Sequence, residues 1–344
     1  MIRAPYDEWF GTDGIDGAYG YDLDALLAVR PVPPPDDFAD LWRGWYSHAR
    51  SVPVDPVLSA LDPVEGREVH RVEYTASGGI RLRGWIAMPV GGVAPRVGIV
   101  HGHGYGGRDR VDFSRVPDDA AVIFALARGQ GALNIGVGAP LPEDGHVLHG
   151  IESVDHYVLG RCAVDLWHAA SALLDTVGDL PLYYIGESFG GGVGALSVPW
   201  DDRFIGATLI VPSFGQYDLR LRMPCEGSGE RVRDHVARHP EAREVLRYVD
   251  ASTAASFLRV PLRAECALWD RHVPPPGQFA VANAARRDAG VEVELDVQPA
   301  GHAEYPGLSE VTQAAFVATR AHIARCLLHQ PTDPDQYRES HAAV

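Results

Sequence analysis

Residues 186–190 read Gly-Glu-Ser-Phe-Gly. The serine, Ser188, stands where a short apolar run, Leu182 to Ile185, gives way to a small-residue run, Gly190 to Leu196. A serine on a tight strand-to-helix turn projects its hydroxyl out of the backbone, and flanking glycines remove the side chains that would clash there. That placement suits nucleophilic attack on an acyl carbonyl, provided a base takes the hydroxyl proton and an acid orients the base. A glycine-rich chain also produces Gly-x-Ser-x-Gly by accident, so the motif stands or falls with its partners.

Two partners lie downstream. Asp270 ends the apolar run "LRAECALWD", and His302 follows "VELDVQPAG". Serine, then acid, then histidine is the chain order of an α/β-hydrolase, with the acid at a strand end and the histidine after the final strand. The other histidines are worse placed. His235 and His239 lie in a polar helical stretch, and His322 and His329 in the last helix. Stabilising the oxyanion needs two backbone N–H groups. Phe189, next to the serine, would supply one, and the glycine-rich loop "HGHGYGG" the other. A plain turn is the alternative for that loop. A phosphate cradle is disfavoured because no Gly-Lys-Ser/Thr follows. His101 and His103 could be read as a metal pair, but no third ligand has useful spacing, so no metal is expected. For His103 the plainer alternative is a loop histidine bonded to a neighbouring carbonyl.

The elements needed to position these groups can be read around them. A helical stretch, "DDFADLWRGWYSHAR", places Phe38, Leu41, Trp42 and Trp45 at helical spacing, with Asp36 or Asp37 as cap. "REVHRVEYTAS" and "IRLRGWIAMPV" alternate around Ser77-Gly78-Gly79 as a hairpin. Beyond them, apolar strands alternate with helices. The strands are "RVGIVHGHGYGG" and "AAVIFALARGQG", both ending in glycines, then "LPLYYIG", "IGATLIVPSFG", "VPLRAECALWD" and "VEVELDVQPAGH", and one long helix spans roughly Tyr157 to Thr176. The pattern implies an α/β fold of the α/β-hydrolase kind: a mostly parallel sheet with helices on both faces. Residues 1–60 read as an N-terminal extension packed on the core, and 61–330 as the hydrolase domain. Residues 216–257, helical and without a good strand, read as a cap insertion, and 331–344 as a C-terminal tail.

Bulk properties narrow the partners. The 344 residues are 46% hydrophobic, enough for a large core, and the formal charge of −16 repels phosphate backbones, so nucleic acid is an unexpected partner. All 30 basic residues are arginine, which excludes a catalytic lysine. The four cysteines form no C-x-x-C pair; Cys162, Cys266 and Cys326 sit in apolar periodic stretches and read as buried hydrophobes. The N-terminus lacks the apolar core of a signal peptide, and no apolar run approaches the roughly 20 residues that span a bilayer. A cytoplasmic protein with no membrane partner is expected.

Together these segments resemble the carbohydrate esterase family of acetyl xylan esterases and cephalosporin C deacetylases. "ARGQG" matches its Arg-Gly-Gln motif, "GESFGGG" its serine motif, and "LWDRHVPP" its Asp-x-x-x-Pro-Pro loop at Asp270. "HGIESVDHYVLGRCAVDLWHAA" and "LRYVDASTAASFLRVP" also look like family segments, so the likeness extends over most of the chain, N-terminal extension included. The "GYGGR" loop is similar to the family's oxyanion loop, which implies that Tyr105 supplies the second N–H. Arg128 and Gln130 then read as groups that brace loop carbonyls or a carboxylate; direct contact with substrate is the alternative. The chain departs from the family in four places, one of them the extra His103 in "HGHG". Glu304 is displaced from the family's His-Glu by Ala303, and Leu126-Ala127 replace the usual Asp-Thr before Arg-Gly-Gln. The segment 132–150 is shorter than the one that helps form the family's ring-shaped hexamer, so a homo-oligomer stays open.

The expected activity is a serine esterase that takes small acyl groups, chiefly acetyl, from sugars or comparable small alcohols, without a cofactor. A peptidase or other acyl hydrolase of the same fold, or a non-catalytic binding protein, are the alternatives.

Overall fold

The computed structural model describes residues 5–329 except 90 and 92. The expected tail, 331–344, lies outside the described residues. Nine strands form one sheet in the order β1-β2-β3-β5-β4-β6-β7-β8-β9. β1 (Val57–Ala60), β2 (Arg67–Thr75) and β3 (Arg81–Pro89) make an antiparallel end. β3 joins β5 (Ala120–Ala125) antiparallel. β4 (Val97–His101), β5, β6 (Leu182–Glu187), β7 (Phe204–Ile210), β8 (Leu262–Ala267) and β9 (Val293–Gln298) are parallel. β4, β5, β6 and β8 are buried along their length apart from Glu187, because helices and loops cover both faces of the parallel region.

Before the sheet come α1 (Tyr6–Phe10), α2 (Leu23–Ala28) and α3 (Phe38–Arg50). α4 (Val158–Val177) and α5 (Phe189–Ser197) flank β6. α6 (Tyr217–Arg220), α7 (Ser228–Arg238), α8 (Ala242–Leu246) and α9 (Ala251–Ala255) fill the stretch between β7 and β8. α10 (Pro275–Ala284) follows β8, and α11 (Leu308–Leu328) follows β9. Side chains alternate between two cores. Val100, Leu182 and Tyr184 face the larger one with α3, α4, α5 and α10, while Ile99, Tyr183 and Ile185 face a smaller one closed by α11 and the loop at Phe113 and Val116.

Two local expectations are corrected. The Asp37 carboxylate does not cap the first turn of α3 but accepts the Tyr248 hydroxyl at 2.6 Å, and only its carbonyl bonds into the helix, to Leu41 N–H. β1, all four residues exposed, lies within the stretch read as extension; it pairs with β2 at the sheet edge, as Val57–Glu73 to Ala60–His70. All four cysteines are free and buried. No helix among the described residues is long and apolar enough to cross a membrane.

Candidate active site

The turn after β6 places Ser188. Its φ of +54° and ψ of −111° are unusual for a residue with a side chain, and the surroundings hold it there. Its N–H donates to Ile210 O at 2.8 Å, and its carbonyl accepts from Gly192 and Ser213 N–H at 3.0 Å each. The flanking glycines are needed for close approach. A Cβ on Gly186 would meet Gly190 O at 2.5 Å, and one on Gly190 would meet the backbone N and O of His103 at 2.8 Å. α5 is a poor helix by composition, four of its nine residues being glycine. Packing overrides propensity: a Cβ on Gly194 would lie 2.0 Å from the Tyr184 ring, so only glycine lets the helix sit this close to β6.

Asp270 and His302 reach the serine from the loops after β8 and β9. Parallel strands end on one side of the sheet, so residues distant in sequence converge there. Ser188 Oγ lies 2.9 Å from His302 Nε2, and His302 Nδ1 lies 2.8 Å from Asp270 Oδ2. Asp270 is fully buried, and its other oxygen accepts N–H groups of His272 (2.8 Å) and Val273 (3.0 Å). Gln278 on α10 donates to Oδ2 at 3.0 Å while its own Oε1 accepts Ala267 N–H at 2.8 Å, tying the acid loop to the end of β8. Burial pulls the His302 pKa down, but the hydrogen bond and charge of Asp270 outweigh it, and the imidazole sits above its ordinary value. With Asp270 on Nδ1, that nitrogen carries the proton in the neutral ring, and Nε2 is free to accept the serine proton.

Phe189 is the first residue of α5, so its N–H has no partner within the helix. Tyr105 N–H likewise has no acceptor among the described residues. Both residues line the cleft beside Ser188. Gln130 braces the loop that carries Tyr105, its Oε1 accepting Gly106 N–H at 2.8 Å and its Nε2 facing His146. Arg128 forms a buried two-point pair with Asp165 of α4, at 2.8 and 2.7 Å. Neither Arg128 nor Gln130 lines the cleft, so direct substrate contact is not how they are placed. His103 donates from Nδ1 to Gly104 O (2.7 Å) and accepts Ala127 N–H at Nε2 (2.9 Å). Burial lowers its pKa to about 4, so it is a neutral loop brace with both nitrogens engaged. Glu304 is exposed and touches none of these groups.

The cleft over Ser188 is open to solvent, and Glu143, Glu187, Arg220, Glu226, Arg231 and His272 bring charge and polar groups to part of its lining. Arg231 of α7 donates to the carbonyls of Pro142 (3.1 Å) and Glu143 (3.2 Å), so the helices after β7 and the loop before α4 form one wall. His272 stacks on His302, ring centres 5.4 Å apart and planes 15° apart. Burial and the neighbouring imidazole lower its pKa. Sequence reasoning singled out neither His272 nor Gln278. His272 carried no signal beyond lying two residues after Asp270; Gln278 did, as one of two amides, with Asn283, in the apolar run "GQFAVANAA". A second pair, Ser77 Oγ and His168 Nε2 at 2.9 Å, is of another kind. The same nitrogen accepts Ser77 N–H at 3.0 Å, and His168 Nδ1 has no partner among the described residues, so this pair lacks an acid.

The family model described as Acetyl xylan esterase (AXE1) matches residues 21–319, leaving residues 1–20 outside the match. Acetyl xylan esterase 1 from Thermoanaerobacterium sp. JW/SL YS485 superposes with a TM-score of 0.73 at 20% identity, over 87% of this chain and 99% of that one. The acetyl xylan esterase from Paenibacillus sp. R4 gives the same values. An acylaminoacyl peptidase from Pyrococcus horikoshii shares the fold more loosely, with a TM-score of 0.59 at 13% identity, over 84% of this chain and 44% of that one.

Proposed function

Since the chain belongs to the acetyl xylan esterase family, we propose that it removes small acyl groups, chiefly acetyl, from sugars or comparable small alcohols, with Ser188, His302 and Asp270 as its catalytic residues. The observation that carries this reading is the continuous hydrogen-bonded chain from Ser188 Oγ through His302 to Asp270 at the base of an open cleft lined in part by charged side chains.

In the first step His302 Nε2 takes the hydroxyl proton as Ser188 Oγ attacks the ester carbonyl. Asp270 holds the ring in the required tautomer and stabilises the imidazolium. The carbonyl oxygen, becoming negative, is met by the N–H groups of Phe189 and Tyr105, which have no competing partner. The tetrahedral intermediate collapses as His302 returns its proton to the leaving alcohol. A water then enters, gives a proton to His302 and releases the acid from the acyl-enzyme, with the same two N–H groups holding the second oxyanion.

Acyl size is set on the serine's aromatic side. Tyr105 packs on Phe189 with ring centres 5.6 Å apart, and Phe189 on Phe214 at 5.7 Å. These rings crowd the space beside Oγ and favour a short acyl group. The leaving alcohol faces the charged wall, which suits a hydroxyl-rich sugar better than an apolar chain. The test is turnover of acetylated xylo-oligosaccharide against an acylated peptide of similar size. Acetate release without peptide cleavage is the expected result; the reverse would replace this reading with a peptidase.

A further inference from the structure

The loops that carry Asp270 and His302 are held from outside the hydrolase core by the first residues of the chain. Phe10 stacks on Trp269, the residue before the acid, with ring centres 3.8 Å apart and planes 21° apart. Trp9 stacks on Tyr305, three residues after the histidine, at 5.6 Å and 16°. The Tyr6 hydroxyl donates to Pro299 O at 3.0 Å, at the start of the histidine loop. Further along, Gly17 O accepts the backbone N–H of Asp270 itself at 2.9 Å. Arg271 donates to Ile15 O (2.7 Å) and Asp13 O (3.0 Å) while its guanidinium lies over the Trp269 ring. Tyr19 finishes the span by donating to Pro224 O at 2.8 Å, on the segment before α7. The two loops also touch each other, Gly301 N–H donating to Trp269 O at 2.8 Å. Gly17 is the tightest point: a Cβ there would lie 2.6 Å from two Trp269 ring carbons and 3.0 Å from Asp270 N.

We propose that residues 6–19 are a positioning strap for the reaction, with the Gly17 carbonyl and the Phe10 and Trp9 rings fixing Asp270 and His302 relative to each other and to Ser188. The inference rests on the catalytic reading of those three residues. The strap touches neither Ser188 nor the cleft, so it acts through the two loops. An acid whose main chain shifts by a fraction of an ångström still folds, but it no longer holds the imidazole on the serine. Displacements of about 1 Å at groups remote from the reacting atoms cost on the order of 10²-fold in rate. Residues 6–19 precede the part of the chain that the family model matches.

A strap that merely adds stability would lower the unfolding midpoint and leave the imidazole's titration in place. A positioning strap would move that titration. The groups that act on His302 are Asp270, Glu187, Arg220 and the stacked His272, and Asp270 is the one that raises its pKa most. Tyr19, the strap's own titratable group nearest this site, is driven further toward its protonated form by burial and adds no charge.

The experiment compares the full-length chain with its Gly17→Ala, Phe10→Ala and Trp9→Ala variants. Three quantities are read: kcat and KM for p-nitrophenyl acetate, the acid limb of kcat/KM against pH, and the low-field proton resonance of the His302 Nδ1–H bonded to Asp270. For Gly17→Ala, kcat is expected to fall on the order of 10²-fold with little change in KM. The acid limb should move to lower pH, and the low-field resonance should weaken. The ring variants should do the same to a smaller degree, and they decide the matter if Gly17→Ala does not fold. Variants that unfold at lower temperature yet keep the wild-type kcat, limb and resonance would overturn the strap. Absence of turnover in the wild type would instead refute the esterase reading, while the resonance would still report whether the strap holds the two loops together.

Discussion

Replacing Gln130 with methionine separates bracing of the oxyanion loop from everything else the residue does. Methionine matches glutamine in length and has no comparable hydrogen-bonding group. The change removes the 2.8 Å bond to Gly106 N–H and the weaker contacts of Nε2 with His146 at 3.3 and 3.4 Å. His146 keeps its bond to Arg128 O at 2.9 Å, so the Arg128 turn is retained. Gly106 is exposed, and water can replace the lost acceptor, so the stability cost is that of one ordinary hydrogen bond, about 0.5–1.5 kcal/mol. The catalytic cost differs. Complete loss of one oxyanion donor costs about 10²–10³ in kcat. Here the donor, Tyr105 N–H, is loosened rather than lost, because Gly106 O still accepts Gly131 N–H at 3.1 Å. The expected fall in kcat is therefore about tenfold, or roughly 1.4 kcal/mol of barrier, with KM for p-nitrophenyl acetate nearly unchanged. Steady-state kinetics with a parallel urea unfolding curve checks both quantities. An unchanged kcat with a lowered unfolding midpoint would refute the argument and leave Gln130 a structural residue only.

The acid limb of kcat/KM should lie above the ordinary histidine value, because His302 must be neutral to accept the serine proton and Asp270 raises its pKa; Asp270→Asn should move the limb to lower pH and cut kcat on the order of 10⁴-fold. A limb that stays in place in that variant would show that another group controls it. Acetyl esters should be cleaved much faster than octanoyl esters, since each added methylene, worth about 0.8 kcal/mol where it fits, meets the Tyr105 and Phe189 rings instead; a maximum of kcat/KM at hexanoyl or beyond would mean that the acyl site is open. Asp165→Asn should destabilise the fold by about 3–5 kcal/mol by leaving the buried Arg128 guanidinium without its counter-charge, measured as a shift in urea midpoint. A shift below about 1 kcal/mol, the range of a surface pair, would mean that the pair is not electrostatically isolated.

The sheet and its helices were legible because their causes are local: buried strands from β4 to β8 read as short apolar runs, and glycine or proline marks their ends. β1 was not legible. Val57–Ala60 is exposed throughout and has no alternation, and it is a strand only because β2 offers a free edge. The convergence of Ser188, Asp270 and His302 could be anticipated, since a parallel sheet gathers strand ends on one side whatever the sequence between them. Tyr105 was reachable only through family likeness, because nothing in "HGHGYGG" says which of its N–H groups would be left unpaired. His272 and Gly17 act through contacts between segments far apart in sequence, whereas Gln278 reaches Asp270 from eight residues away. A glycine whose role is to let a tryptophan ring and an aspartate main chain come close looks, in sequence, like any other loop glycine.

The central claim is that Ser188 carries the acyl group between two half-reactions. It is tested most directly by mixing the protein with p-nitrophenyl acetate, quenching in acid within the first turnovers, and locating the acetyl group by peptide mass spectrometry. Acetyl is expected on the peptide that contains Ser188, with loss of both label and turnover, on the order of 10⁴-fold or more, in Ser188→Ala. Acetyl found elsewhere, or turnover that persists in the alanine variant, would contradict it.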